Sequence, residues 1–293
     1  MMWSSNGGSA GSSTVIGSGS SDGLLTSNGS DFRVVGGLRR LVEWLARGLD
    51  VRTRWRAASI QISGGRVTVR SDRHDELVGA AAVVAVPVAR VGDLTFSPPL
   101  RAAKLAALRS IRMDPALKVI VHLRGGADGR PPWTHEPPLH SALCAGEPVP
   151  ELWMRRGATG GWVVSGFATG DYAAALGDAG DAAAVDTFVA QLSRVLPGAP
   201  PPAALREMVV HSVVCDWRGV GGVGGGYSAP SSGEAADARA EYRKLEGGGR
   251  LAFAGEASQD AMMTMNAALD SGRRAAVQLL AGGAIGGRTA SKL

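Results

Sequence analysis

The sequence predicts a mixed α/β fold, and three observations carry that prediction. Segments with helical spacing alternate with short β-branched runs along most of the 293 residues. Hydrophobic residues make up 45% of the chain, enough for one large or two moderate cores. The run Leu251-Ala-Phe-Ala-Gly-Glu-Ala-Ser258 reads as a short strand, a glycine turn and an acid, and a helix opens near Thr264. In that segment Gly255 has no side chain to keep a ligand from the backbone. The helix that follows points free N–H groups and the positive end of its dipole at an electron-rich group.

Taken in order, residues 1–30 are rich in Ser, Gly and Asn and read as a disordered tail. Within it Val15-Ile16 precedes misspaced glycines, too poor a match for a phosphate-binding turn. Leu38, Leu41, Val42, Leu45 and Leu49 share one helical face. Ala57–Ile62 and Val67–Arg70 flank Ser63-Gly64-Gly65 as a hairpin. Val78–Val86 reads as one buried strand ended by Pro87, and Phe96-Ser-Pro-Pro-Leu100 as a domain crossing. A helix is predicted over 101–110, a strand over 118–123, and two strands within 152–169. Residues 178–196 read as a single helix with Val185, Phe188, Val189, Leu192 and Leu196 on one side. A strand follows over 209–214, then a Gly-rich loop ending in Tyr227. The last helix is expected to bury Met265, Ala268, Leu269, Gly272, Ala276, Leu279 and Leu280.

Charge and motifs exclude several classes. The net charge of +5 is spread as Arg without interleaved aromatics, which argues against a nucleic-acid groove. Cys144 and Cys215 form no CxxC pair, and the five histidines, His135 and His140 among them, show no metal-binding spacing. The longest apolar run, Val83–Ala89, is too short to span a bilayer, and the N-terminus lacks the pattern of a secretory signal. The last three residues, Ser291, Lys292 and Leu293, form the tripeptide read by the peroxisomal import receptor, and the Gly-rich stretch 282–287 would expose it.

Several segments resemble, in order and spacing, the flavin-containing amine oxidase family, and within it the peroxisomal polyamine oxidases of plants and algae. They are Leu45-Ala-Arg-Gly-Leu-Asp-Val51, Ala85-Val86-Pro87, and Phe96-Ser-Pro-Pro-Leu100 with Lys104. Leu117-Lys118-Val119, Trp133, Arg194-Val-Leu-Pro197, Asp216-Trp217, Gly226-Tyr227-Ser228, Phe253-Ala-Gly-Glu256-Ala257 and Ser271-Gly272 complete the set. The resemblance implies FAD as cofactor. It also implies a Rossmann-like FAD-binding domain over 31–95 and 216–282, a mixed-sheet substrate domain over 96–215, and a flexible tail over 283–293. The implied reaction passes a hydride from a polyamine or other amine to flavin N5. The imine then hydrolyses and O2 becomes H2O2.

The same resemblance assigns roles. Lys118 is implied to hold a water beside N5, in a buried setting where desolvation favours a neutral amine. Tyr227 and Trp217 are implied as walls of the substrate cage, where an aromatic face attracts an amine. The Ala57 backbone is implied to pair with adenine, and Gly255 and Glu256 to meet the ribityl and diphosphate region. The Met265 N–H is implied to meet the pyrimidine edge, its side chain lying in the core. The sequence also departs from the family. No opening βαβ unit with a GxGxxG turn is found. Met262-Met263 stands where an aromatic or Pro is usual, and Ala267 stands for a Gly. A non-catalytic or truncated relative unable to bind FAD is therefore the alternative expectation.

Overall fold

The computed structural model describes residues 15–16, 34, 36–126, 129–133, 141–229, 233–260 and 263–283. The first half holds β1 (Val15–Ile16), α1 (Arg39–Leu45), β2 (Ala57–Ser63), β3 (Arg66–Ser71), β4 (Glu76–Gly79), β5 (Ala82–Val84) and β6 (Thr95–Ser97). Next come α2 (Ala102–Ser110), β7 (Met113–Asp114), β8 (Ala116–Leu123), β9 (Ser141–Cys144), β10 (Glu151–Arg156) and β11 (Trp162–Thr169). The remainder is α3 (Gly170–Ala179), α4 (Asp181–Val195), α5 (Pro202–Glu207), β12 (Val209–Asp216), β13 (Tyr227–Ser228), α6 (Gly233–Tyr242), β14 (Leu251–Phe253) and α7 (Met265–Ala281).

A six-stranded antiparallel sheet in the order β1-β9-β10-β11-β8-β12 forms the larger layer. Strict alternation decides its two faces. Leu117, Val119, Val121 and Leu123 of β8 lie buried with Leu152 and Met154 of β10 and Trp162, Val164 and Ala168 of β11. Against them α4 lays the predicted stripe of Val185, Phe188, Val189 and Leu192. Gln191 sits in the same core. Its amide bonds the Val149 N–H at 2.9 Å and the Val149 C=O at 2.7 Å, so no polar atom of that side chain is stranded. The residues between the buried ones, Lys118 among them, point to the other, open face.

A second core gathers Ile60, Val67, Val84, Ala107, Tyr242, Leu251 and Phe253 from β2, β3, β5, α2, α6 and β14. Here β5 and β14 pair in parallel, and α7 crosses β14 through Ala275 and Leu279 on Ala252 and Ala254.

Several expectations need correction. Val15-Ile16, inside the expected tail, pairs with Leu143 and Cys144. It is the β-branched pair in a Ser/Gly stretch, and β9 offers it an edge. The strand expected over 78–86 is two, β4 and β5, separated at Ala80-Ala81, and Val83 is exposed. The helix expected over 178–196 begins only after Gly180, whose φ of 87° breaks it from α3. The apolar face of α1 is not buried. In α7 the buried stripe is Ala267, Ser271, Ala275 and Leu279, not the face of Met265 and Leu269. Small residues win that face because they let the helix approach β14 closely. Residues 284–293, and with them the terminal Ser-Lys-Leu, lie outside the described residues, as do His135, His140 and Met262.

Candidate functional site

The site is built on the open face of the large sheet. Register sets Lys118 of β8 between Cys215 of β12 and Phe167 of β11, and Phe167 opposite Glu151 of β10. Residues directly opposite across antiparallel strands share a face, so these four form one row. The Lys118 Nζ lies 5.5 Å from the centroid of the Phe167 ring, and Trp153 packs on Phe167 with centroids 6.3 Å apart. Lys118, Trp153, Met154, Arg155 and Ser165 line a pocket of about 200 Å³. Lys118 stands exposed on this face, not buried as the resemblance implied.

Among the described residues the buried lysine is Lys104, which is 0% exposed. Its Nζ donates to the carbonyls of Glu241, Tyr242 and Lys244 at 2.9, 2.9 and 2.6 Å, closing the C-terminal end of α6. Burial lowers its pKa to about 8.

Tyr227 and Trp217 come to the N-terminal end of β8. The Trp217 N–H donates to Ala116 C=O at 3.0 Å and the Gly226 N–H to Asp114 C=O at 2.8 Å, while β13 pairs with β7. Gly226 lies so flat on Ala116 that a Cβ there would come within 2.2 Å of the Ala116 Cβ. The Tyr227 phenol is half-buried, with Thr169 near it. Desolvation raises the pKa of the phenol above its ordinary value. Lys118, Trp217 and Tyr227 thus belong to segments that lie towards the N-terminal end of β8.

Glu256 ties this aromatic wall to the strand–turn–helix segment. Its carboxylate accepts from the Ser228 N–H at 2.9 Å, the Ser228 hydroxyl at 2.7 Å and the Met263 N–H at 3.0 Å. Arg239, 1% exposed, donates to the Ser228 hydroxyl at 3.0 Å and to the carbonyls of Ala257 and Ala229 at 2.8 and 2.6 Å. Replacing Ser228 with Ala removes the hydroxyl between that acid and that base. The variant is expected to lose about 1–3 kcal/mol of unfolding free energy in a denaturant titration.

Gly255 has φ 120°, open to glycine, and its N–H is held by the Ser271 hydroxyl at 2.8 Å. Thr264 caps α7 by accepting from the Ala267 N–H at 3.1 Å. The Met265 and Asn266 amides have no hydrogen-bond partner among the described residues, and the Met265 side chain is 56% exposed, not core. A helix start with free amides, beside a glycine where nothing lies within 4 Å of an added Cβ, fits an electron-rich ring edge. Ala57 lies on β2, opposite Ser71 in the other sheet. Near it Thr53, Arg54, Trp55, Ser71, Asp72, Arg73 and Asp75 line a pocket of about 400 Å³.

Sequence reasoning missed Phe167, Glu151, Thr169, Ser228 and Arg239. The alternation of β10 and β11 was available, but only the register reveals which residues share Lys118's face.

The chain is a mixed α/β fold whose large sheet carries Lys118 and Phe167 on its open face. Residues 9–280 match the family of flavin containing amine oxidoreductases, and the chain belongs to that family. It is 28% identical over 228 residues to Polyamine oxidase 3 of Oryza sativa subsp. japonica, covering 77% of this chain and 44% of the relative. It is 29% identical over 171 residues to Polyamine oxidase 2 of Arabidopsis thaliana, covering 58% and 34%. The chain thus spans less than half the length of these relatives. Among solved structures it superposes on a putrescine oxidase bound to putrescine with a TM-score of 0.70 at 19% identity, covering 84% of this chain and 53% of that one. Cyclohexylamine oxidase from Brevibacterium oxydans IH-35A gives 0.63 at 19%, covering 77% and 48%. The fold is that of the amine oxidases.

Proposed function

We propose that this chain takes part in the FAD-dependent oxidation of a polyamine or other aliphatic amine. The observation that carries the reading is the Ser228–Glu256 link. It joins the Tyr227–Ser228 strand to the turn that precedes α7. In this reading Tyr227 and Phe167 hold the amine by cation–π attraction, worth roughly 0.5–2 kcal/mol according to desolvation. Lys118 orders a water at the reacting centre, and Trp217 closes the same end. The Met265 amide donates to the cofactor's pyrimidine edge, and Gly255 lets the backbone approach it. The redox chemistry, acceptance of a hydride from the carbon beside the nitrogen and reduction of O2 to H2O2, is what bound FAD supplies. We also assign the Ala57 backbone to the adenine and the terminal Ser291-Lys292-Leu293 to the peroxisomal import receptor.

A second reading is a chain that does not hold FAD on its own. The exposed apolar residues of α1 and α7, Val42 at 65% and Leu269 at 47% among them, favour it. One experiment separates the two. The purified protein is expected to show a flavin absorbance spectrum after incubation with FAD, and to release peroxide with spermidine. A preparation that stays colourless supports the second reading and overturns the first.

A further inference from the structure

We infer that His122 and His211 form a binding site for a late first-row transition-metal ion, of the class of Ni²⁺, Cu²⁺ and Zn²⁺. The site lies on the open face of the large sheet, away from Lys118, and does not depend on the amine reading.

The two histidines are far apart in sequence, so no spacing motif joins them. Register does. The β8–β12 ladder runs unbroken from Leu117 and Asp216 to His122 and His211, and shifts only beyond, between Val209 and His211. His122 and His211 are therefore direct cross-strand neighbours, with Cβ atoms about 5 Å apart. On β8 the flanking Val121 and Leu123 are buried in the core, so both imidazoles rise from the opposite, open face.

One of the two rings is already fixed. The His122 Nε2 lies 2.8 Å from the Gly160 carbonyl oxygen. A carbonyl only accepts, so Nε2 carries the proton, and in the neutral ring Nδ1 keeps its lone pair. Imidazoles that bind metals are commonly oriented this way, one nitrogen donating to a carbonyl while the other ligates. The turn between β10 and β11 closes on the ring. A Cβ added to Gly157 or to Gly161 would meet Nε2 at 3.0 Å. His211 is exposed and has no hydrogen bond or ion pair among the described residues, so its ring can turn toward that lone pair.

The surroundings choose the ion. The row continues through Val163 to Arg155, and the next row holds Val213, Ile120, Ser165 and Trp153. Neither row brings a carboxylate. Ca²⁺ and Mg²⁺ require several oxygen ligands, which these rows do not supply. Neutral imidazole suits Zn²⁺, Ni²⁺ and Cu²⁺. Two protein nitrogens leave the remaining coordination positions to water. Four residues of β8, about 14 Å, separate His122 from Lys118, so the ion and the amine end are distinct.

The test is isothermal titration of the tag-free 293-residue chain with Ni²⁺, which does not oxidise thiols. Wild type is expected to take up one Ni²⁺ per chain, and Mg²⁺ at the same concentration should not displace it. His122→Gln and His211→Gln should each weaken Ni²⁺ at least about tenfold, because a chelate loses one of its two nitrogens. His74→Gln, at an exposed histidine elsewhere, should leave the affinity unchanged. Glutamine at 122 can still donate to the Gly160 carbonyl, and His211 is exposed, so both variants are expected to keep the wild-type circular dichroism. Full affinity in either variant overturns the site, as does an equal loss in His74→Gln or a wild-type chain that takes up no Ni²⁺. Displacement by Mg²⁺ overturns the imidazole ligation.

Discussion

Lys104→Met is expected to lower the unfolding free energy by about 3–5 kcal/mol, because the change leaves three buried carbonyls without a donor. Methionine nearly matches lysine in volume, so a cavity contributes little. What is lost is the ammonium that gathers the carbonyls of Glu241, Tyr242 and Lys244. Its position 4.4 Å from the Phe253 ring centroid and 4.0 Å from Glu246 adds to the loss. Urea titration of the two proteins measures the difference. Its pH dependence is a second check. Burial lowers the folded pKa to about 8 from an ordinary 10.5, so between those values the unfolded chain binds more protons. Wild-type stability should therefore rise across pH 8 to 10.5 relative to the variant, by up to about 1.4 kcal/mol per pH unit. A gap that stays constant over that window would show that the ammonium is not desolvated.

Lys118→Met is expected to act on chemistry and not on folding. If Lys118 holds the water at the reacting centre, its loss should slow flavin reduction about 10²–10⁴-fold, the range for a positioned acid–base group. Anaerobic rapid mixing with spermidine reads that step directly. The exposed side chain touches the Phe167 ring and joins no ion pair among the described residues. Unfolding free energy should accordingly move by no more than about 0.5 kcal/mol. An unchanged reduction rate would remove Lys118 from the mechanism. A large loss of stability would recast it as a structural residue.

These two lysines also show how much of the molecule was legible in the sequence. The alternation of β8 and the stripe of α4 follow local periods of two and 3.6, and both formed as expected. Which lysine is buried depends on partners roughly 140 residues away at the end of α6, and no local period records that. The buried face of α7 departs from its apolar pattern for a related reason. Met265 and Leu269 are the greasier residues, yet Ala267, Ser271 and Ala275 are the ones buried, with Ala275 packed on Ala252 and Ala254. Lys118, Trp217 and Tyr227 sit in segments that resemble family motifs. Glu151 and Phe167 carry no motif, and they join the site only once three strands are in register.

That register has a consequence for how the site is made. Lys118 lies between β11, about 50 residues on, and β12, roughly 100 residues on. Neither neighbour can be reached by local zippering, so closing these loops precedes any reward from pairing. The row Cys215–Lys118–Phe167–Glu151 is therefore complete only once β10, β11 and β12 have all docked in register. Amide exchange along β8 then reports the integrity of the whole row, because an opening on either side dissolves the face that Lys118 and Phe167 share.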